Sequence, residues 1–380
     1  MTNMKIRRES GRLEWSTFHL DLSEKELDIS RIAVPTFPMR IGSAVVKMGG
    51  VASVGTDEPY RGRGYARLMI DEALSFFTSS GHDVSVLFGI PDLYHKFGYA
   101  PVLADTTLTV GIEDSRVVLS EYDMVDYRGR SLKSEDWPFL IDLYDVDNQT
   151  RTGTRVRRGV DWTGYRHGTV WNCGTETMVT ENLNGSLMGY VTFDDLRDVC
   201  RVGDLAGVSM DVFPMLLRLI VEGAERRSVE TFEVALPPDH PFVVFCRQCG
   251  GTLQTVYHRN QAGMARIINL HKLFDKITGL LSERLSCSHL AVLRGVLEIQ
   301  TDLGAVTLDI DNCDVQLVAK RATSWSVSLP HVRLIQLIMG YRSVADVALN
   351  DDVQVVPEAL QLLDVLFPVG HPWMPLPDHF

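Results

Sequence analysis

Val51-Ala52-Ser53-Val54-Gly55-Thr56-Asp57-Glu58-Pro59-Tyr60-Arg61-Gly62-Arg63-Gly64-Tyr65-Ala66-Arg67-Leu68-Met69 is the stretch on which the reading of this chain turns. An apolar strand runs into a basic, glycine-bearing turn, and the turn opens directly onto an amphipathic helix. That order of elements builds an anion site. Glycine lets backbone approach a ligand closely, and the first N–H groups of a helix lack intrahelical partners and lie at the positive end of its dipole. Arg61, Arg63 and Arg67 add charge suited to phosphate. A dinucleotide fingerprint needs Gly-x-Gly-x-x-Gly and a P-loop ends in Gly-Lys-Ser/Thr, and neither is present. The plain alternative is a surface turn whose arginines are solvated.

Around this stretch, the bounds are those of a multi-domain globular chain. Its 380 residues exceed one ordinary core and predict two or three domains. Hydrophobic content of 45% with 23% charged residues is that of soluble protein, and the net charge of −12 argues against nucleic-acid binding while favouring cationic partners. Lys5, Arg7, Arg8, Glu9, Arg12 and Glu14 leave no visible signal peptide, and no uncharged apolar run approaches membrane-spanning length, so a cytoplasmic protein is expected, without membrane partners. Six scattered cysteines make no disulfide framework. Cys246-Arg247-Gln248-Cys249 has metal or redox spacing but no second pair or His-x-His set to complete four ligands, so two reduced thiols in a strand-rich segment are expected, and no metal.

Outward from the loop, Glu14 to Leu22 and Arg31 to Pro38 alternate as strands do, and Gly42-Ser43 makes a two-residue hairpin turn joining Phe37–Ile41 to Ala44–Val54. Beyond it, Leu68, Met69, Ala73, Phe76 and Phe77 recur at helical spacing, with Gly81 as the residue after the helix cap. Asp83–Ile90 reads as a strand covered on both faces, Pro91 to Ala100 as a short helical segment leaving at Gly98, and Thr106–Val110 as a further strand. Strand–loop–helix–strand–helix–strand is α/β order. A second unit shows a strand at Met124–Tyr127, a helix from Ser131 through Tyr144, a strand pair about Asn182 to Gly185, an apolar helix at Met210–Arg226, and strands at Glu230–Ala235 and Thr252–Tyr257. Its counterpart of the basic loop, Arg201 to Gly207, carries Asp204 and a single arginine and reads as a copy that does not bind phosphate. A third unit begins near Met264, with helices at Leu270–Leu285 and His331–Gly340, strands between them, and an apolar helical tail at Leu360–Phe367.

Arg61-x-x-Gly64-x-Ala66 after a strand resembles the Arg/Gln-x-x-Gly-x-Gly/Ala signature of the GNAT N-acetyltransferases. The resemblance implies that amides of Arg61, Gly62, Arg63, Gly64, Tyr65, Ala66 and Arg67 hold the pyrophosphate of acetyl-coenzyme A. It also implies that N–H groups near Val54, Gly55 and Thr56 face the thioester and the pantetheine arm. Over its full length the chain is similar to the Eis-like acetyltransferases: a GNAT domain (1–118), a degenerate GNAT-like domain (119–262), and a small sterol-carrier-protein-like α+β domain (263–380) whose tail, Pro372 to Phe380, enters the active site. The fold class is therefore α/β and α+β, two mixed-sheet domains followed by a small α+β one.

Acetyl transfer to an amine requires an anchored cofactor, a stabilised carbonyl oxygen, a neutral amine and a proton for the departing thiolate. In the Eis-like family a tyrosine ahead of Phe-Gly-Tyr is the proposed acid. Tyr94-His95-Lys96-Phe97-Gly98-Tyr99 has that arrangement, so the role falls on Tyr94 and not Tyr99; a tyrosine packed at a helix end is the alternative. The same resemblance brings the terminal carboxylate, here of Phe380, into the site, where it orients the amine. A lipid tunnel in the third domain is a further alternative, set against a packed sheet face.

GNAT domains usually carry a strand and two helices ahead of the strand expected here near Glu14, and about a dozen residues precede it. Those elements, one wall of the family's acceptor groove, are expected to be missing. The reading is an acetyl-coenzyme A-dependent N-acetyltransferase working by sequential transfer on a primary amine of a small cationic acceptor, aminoglycoside-like or polyamine-like. No cysteine in the first domain is available for an acyl intermediate. The family implies a homo-oligomer, trimer or hexamer. A coenzyme A-binding sensor without catalysis and a lipid-binding protein are the alternatives from other classes.

Overall fold

The computed structural model describes residues 4–5, 18–24, 27–158, 162 and 164–380. The first region comprises β1 (Met4–Lys5), β2 (Phe18–Glu24), β3 (Leu27–Val34), β4 (Thr36–Ile41), β5 (Ala44–Thr56), α1 (Tyr65–Ser79), β6 (Val84–Gly89) and β7 (Ala100–Pro101). The second comprises β8 (Asp105–Gly111), α2 (Ile112–Leu119), β9 (Tyr127–Ser131), α3 (Trp137–Asp147), β10 (Thr175–Asn182), β11 (Leu187–Asp194), β12 (Arg201–Gly207), α4 (Phe213–Arg226), β13 (Thr231–Val234), α5 (Pro241–Cys246) and β14 (Thr252–Val256). The third comprises β15 (Ala262–Ile267), α6 (Leu270–Ser286), β16 (Arg294–Thr301), β17 (Gly304–Asp311), β18 (Asp314–Val318), β19 (Trp325–Ser328), α7 (His331–Ile338), α8 (Val344–Ala348), β20 (Gln354–Val355) and α9 (Leu360–Leu366).

Three mixed sheets organise these elements. The first runs β1-β2-β3-β5-β6-β15-β7, with β4 also on β5; the second runs β14-β8-β13-β12-β11-β10-β9; the third runs β18-β17-β16-β19-β20. In the first, β5 and β6 are parallel across α1, and in the second β12 and β13 are parallel across α4, so both repeat one strand–helix–strand crossover.

The sheets do not divide where the sequence order suggests, at 118/119 and 262/263. Strand β8 leaves the first sheet and pairs with β13 and β14, while β15 takes the place beside β6, Met264 opposite Leu87. The reason is burial. Met264, Ala265 and Ile267 have 0% exposure and suit a slot covered on both faces, whereas β8 lends Leu108 and Val110 to the second core. Consecutive strands usually share a sheet, which is why sequence order misleads here.

One face of the first sheet is covered by α1, with Met69, Ile70 and Phe77 packed on Val51 and Leu87. The other face shares one apolar core with the third region, in which Phe37, Met48 and Val86 meet Phe274, Ile277 and Ile335. The third sheet's own apolar residues, Leu297, Ile299 and Leu308, belong to the same core.

Of the strand expected over Glu14–Leu22, residues 14–17 lie outside the described residues and the rest falls in β2, while Arg31–Pro38 divides at Pro35 between β3 and β4; the larger local differences among the described residues lie in the second region. The expected strand at Met124–Tyr127 lies instead at Tyr127–Ser131, and the following helix starts at Trp137 after the turn Ser134–Asp136. Arg201–Gly207 is strand β12, not a loop, because Val202, Leu205 and Ala206 are buried between flanking strands. Cys246 and Cys249 lie on α5 and the helical turn Arg247–Cys249 rather than among strands, and burial pushes both thiols up.

Candidate active site

Strand β5 carries the site because it has two partners on one edge and half a partner on the other. Its first half pairs with β4 and its second half with β3, but on the far edge β6 accompanies it only from Met48 to Val51. At that point one extra residue enters β5: Arg31 of β3 faces Gly55 and Ala33 faces Ala52, with Ser53 turned to a positive φ of 49°. A bulge bends its strand and increases the local twist. Beyond Val51 and Leu87, β5 and β6 part, and the far edge of residues 52–56 is left open. The Asp57 amide donates to the Ile29 carbonyl at 2.9 Å, so strand alternation turns the backbone of Thr56 and Val54 toward the opening.

After β5 the chain makes one helical turn (Glu58–Tyr60) and then the basic loop. Gly62 (φ 75°) and Gly64 (φ 82°) are left-handed, and a Cβ on either would meet nothing within 4 Å. They are required by backbone conformation, not by crowding. The first intrahelical bond of α1 runs from Leu68 N–H to the Gly64 carbonyl at 3.1 Å, so the amides of Tyr65, Ala66 and Arg67 precede the ladder. Its first turn contains no acid. Arg61, Arg63 and Arg67 are exposed. Arg61 donates to the Thr56 carbonyl and Arg63 to the Pro59 carbonyl, each at 3.2 Å, and the Arg67 guanidinium lies 5.6 Å from the Phe97 ring centre. These are the groups a diphosphate needs: clear amides, a helix dipole and adjacent guanidinium groups.

Tyr94 opens the helical turn Tyr94–Phe97 just after β6. Its ring rests on Gly89, where a Cβ would stand 2.5 Å from the ring. Burial raises its pKa, and its hydroxyl makes no hydrogen bond among the described residues. Tyr99, by contrast, is fully buried and bonded to Ser85 at 2.7 Å, which explains why the motif's second tyrosine is structural.

Phe380 reaches the same end of β6 from the other side. Its ring packs on Gly50, where a Cβ would stand 2.4 Å from it, and makes edge contacts with Phe37 at 5.5 Å and Phe88 at 5.4 Å. Successive residues of a strand face opposite sides, so Gly89 under Tyr94 and Phe88 against Phe380 place the two aromatic groups on opposite faces of the sheet. Their membership of different apolar clusters agrees. The adjacent glycines of β5 serve both sides: Gly49 makes room for Phe77 of α1 and Gly50 for Phe380.

The tail that delivers Phe380 is anchored by groups that no local motif marks. Trp373 donates from its indole to the Ala235 carbonyl at 3.2 Å. Asp378 pairs with Arg157 at 2.8 Å and Arg155 at 3.7 Å, and Arg157 also meets Asp204 at 2.9 Å, all with side chains at most 1% exposed. Arg157 is further stacked 3.5 Å from the Tyr144 ring centre. His167 donates from Nε2 to the His379 carbonyl at 3.0 Å, and His379 stacks on Phe88 at 3.5 Å. Burial lowers the His379 pKa to about 3. Asp204, the acid that sets the second unit apart in sequence, is thus the counter-charge of a buried clamp, and Arg157 and Asp378 carry no spacing signal that would have revealed it.

The fold has counterparts among known proteins. Residues 22–102 match the acetyltransferase (GNAT) domain family, and residues 294–375 match the sterol carrier protein domain family. An uncharacterized N-acetyltransferase YhbS of Escherichia coli (strain K12) is 34% identical over 62 residues, 16% of this chain and 37% of that protein. The chain therefore spans little more than a third of the length of the curated relatives it matches. Three solved structures are similar over nearly the whole chain. A probable N-acyltransferase from Enterococcus faecalis V583 has a TM-score of 0.74 at 15% identity, covering 96% of this chain and 89% of that one. A GCN5-related N-acetyltransferase from Kribbella flavida gives 0.69 at 17%, covering 95% and 88%. Eis1 from Mycobacterium abscessus gives 0.64 at 16%, covering 95% and 91%.

Proposed function

We propose that this chain, an Eis-like protein with a GNAT acetyltransferase domain and a C-terminal sterol carrier protein domain, catalyses acetyl transfer from acetyl-coenzyme A to a primary amine. The observation that carries the reading is the parted end of β5 and β6, with a phenol on one face and the terminal residue on the other. Acetyl-coenzyme A supplies the activated acetyl group. Amides of residues 61–67 and the three arginines grip its diphosphate, and the open edge at Val54 and Thr56 pairs with its amide-bearing arm.

Two groups on opposite faces suit a direct displacement. The amine enters from the Phe380 side, where the carboxylate orients it, and Tyr94 gives its proton to the departing sulfur on the other side. Burial keeps the phenol protonated, the form an acid needs, and the same low-dielectric gap raises the proton affinity of a thiolate held there. The first region contains no cysteine, which supports sequential transfer over an acyl-enzyme.

The acceptor we favour is a small cationic amine, aminoglycoside-like or polyamine-like, supported by the net charge of −12. The shared core of the first and third regions supports a structural role for the latter. A homo-oligomer, trimer or hexamer, is part of the same reading, and sedimentation velocity tests it. The central test is calorimetry with acetyl-coenzyme A followed by thiol release against an amine panel. Tyr94→Phe is expected to lower kcat about 100-fold or more while sparing cofactor affinity; unchanged turnover removes Tyr94 from the mechanism.

A further inference from the structure

We infer that His331, in the third region, is a positioning residue for the transfer step: backed by Asp302, it fixes the turn that presents the Tyr94 hydroxyl. The inference rests on Tyr94 acting as the acid.

The turn Tyr94–Phe97 is a single 3-10 turn, closed by Gly98 N–H to the His95 carbonyl at 3.1 Å and Tyr99 N–H to the Tyr94 carbonyl at 3.3 Å. So short a helix has little stability of its own, and its position is set by whatever holds its ends. Its exit carbonyls are both taken by side chains from far along the chain. Arg266 of β15 donates to the Phe97 carbonyl, and His331 Nε2 lies 3.1 Å from the Gly98 carbonyl. A carbonyl only accepts, so Nε2 donates to it, and the Asp302 carboxylate facing Nδ1 likewise only accepts, so both ring nitrogens serve as donors.

The His331 ring is fixed from behind. Asp302, in the tight turn between β16 and β17, accepts from the His331 backbone N–H at 2.7 Å with one carboxylate oxygen and meets Nδ1 at 2.7 Å with the other. Partial burial raises the Asp302 pKa, but the His331 bonds outweigh it and hold the carboxyl below its usual range. The ring is 6% exposed and fits against Gly98 so closely that a Cβ there would stand 2.7 Å from Nε2. A carboxylate orienting an imidazole that in turn orients a reactive element is the logic by which supporting groups hold a site to sub-ångström geometry. It gives the third region a part in transfer besides completing the core.

Steady-state kinetics of the full chain with acetyl-coenzyme A and one accepted amine test this, on His331→Ala, His331→Gln, Tyr94→Phe and the double variant Tyr94→Phe/His331→Ala. His331→Ala is expected to lower kcat roughly tenfold to a hundredfold with KM for acetyl-coenzyme A unchanged, since a small misplacement suffices. His331→Gln, which keeps a donor, is expected to recover most of the loss, and in the Tyr94→Phe background His331→Ala is expected to add nothing. An impaired Tyr94→Phe beside an unimpaired His331→Ala, or equal losses from His331→Ala in both backgrounds, overturns the positioning role alone. An unimpaired Tyr94→Phe overturns the acid assignment and this role with it. If His331→Ala does not fold, Asp302→Asn at its more exposed position carries the same test, with a smaller fall in kcat expected and unchanged kcat counting against the proposal.

Discussion

The chain builds the same crossover twice, β5–α1–β6 and β12–α4–β13, and the two differ at the turn that leads into the helix. In the first, two left-handed glycines lift the backbone clear of its neighbours, the helix begins without an acid, and Arg67 stands in its first turn. In the second, Ser209 is extended, Val212 and Phe213 are buried, and Asp211 occupies the leading turn. Helix α4 is thus led by a turn that carries a carboxylate and sends its apolar side chains into the second core. The crossover supplies a dipole in both cases. What differs is the open space at the start of the helix, where the proposed diphosphate site lies and where two glycines take left-handed conformations.

The largest effect is expected where the second region pairs its charges internally. Arg157→Met leaves Asp204 without its counter-charge and Asp378 to the more distant Arg155, and about 3–5 kcal/mol of stability should be lost in urea unfolding. If the tail serves transfer and the basic loop serves binding, surviving protein should also lose turnover sooner than coenzyme A affinity. A loss of affinity alone would erase the division of labour between the two crossovers.

Acid should act on the first region next. Burial, aided by Lys47, lowers the His82 pKa to about 4, while the unfolded chain titrates near 6.5. Between those values the unfolded state binds more protons. The contribution is therefore whole above about pH 6.5 and falls as pH drops toward 4, by about 2 kcal/mol at pH 5. Asp204 in the second region carries the opposite sign, since burial raises its carboxyl. Thermal midpoints across this range should flatten in His82→Gln, and an unchanged slope would assign the acid sensitivity elsewhere.

Smaller effects sharpen the contrast between the loops themselves. Gly64→Val forces a branched residue to a φ of 82° and should cost about 1–2 kcal/mol and weaken coenzyme A binding at least tenfold, while Ser209→Val leaves binding unchanged. Ala66→Glu places an acid in the first turn of α1, as Asp211 stands in the turn that leads into α4. It should stabilise the fold by about 0.3–1 kcal/mol while reducing coenzyme A affinity in calorimetry; undiminished affinity would mean that the diphosphate lies elsewhere.

What the sequence disclosed was local. Gly42-Ser43 makes the hairpin it promises between β4 and β5, and Gly62 and Gly64 carry the positive φ that their setting between strand and helix suggests. Backbone freedom belongs to a residue and its neighbours and can be read from them. Partner choice cannot. Nothing in Thr106–Val110 says that it pairs with β13 instead of β6, because both slots accept an apolar strand. Asp204 reads in the sequence as the mark of a copy that does not bind phosphate, and its place in the structure depends on Arg157, 47 positions earlier by difference of residue numbers, and on Asp378 near the end. Likewise His331 is an ordinary helix-start residue until Asp302 and Gly98 close around it.

The exchange of β8 for β15 has a consequence for how the molecule comes into being. As synthesis proceeds from the first residue, β6 waits for its inner neighbour until the whole second region has emerged, so the first sheet closes late and through contacts distant along the chain. A fragment ending at residue 118 would therefore expose the edge of β6 as an adhesive ribbon, and the shortest piece in which the first sheet is whole runs past Ile267.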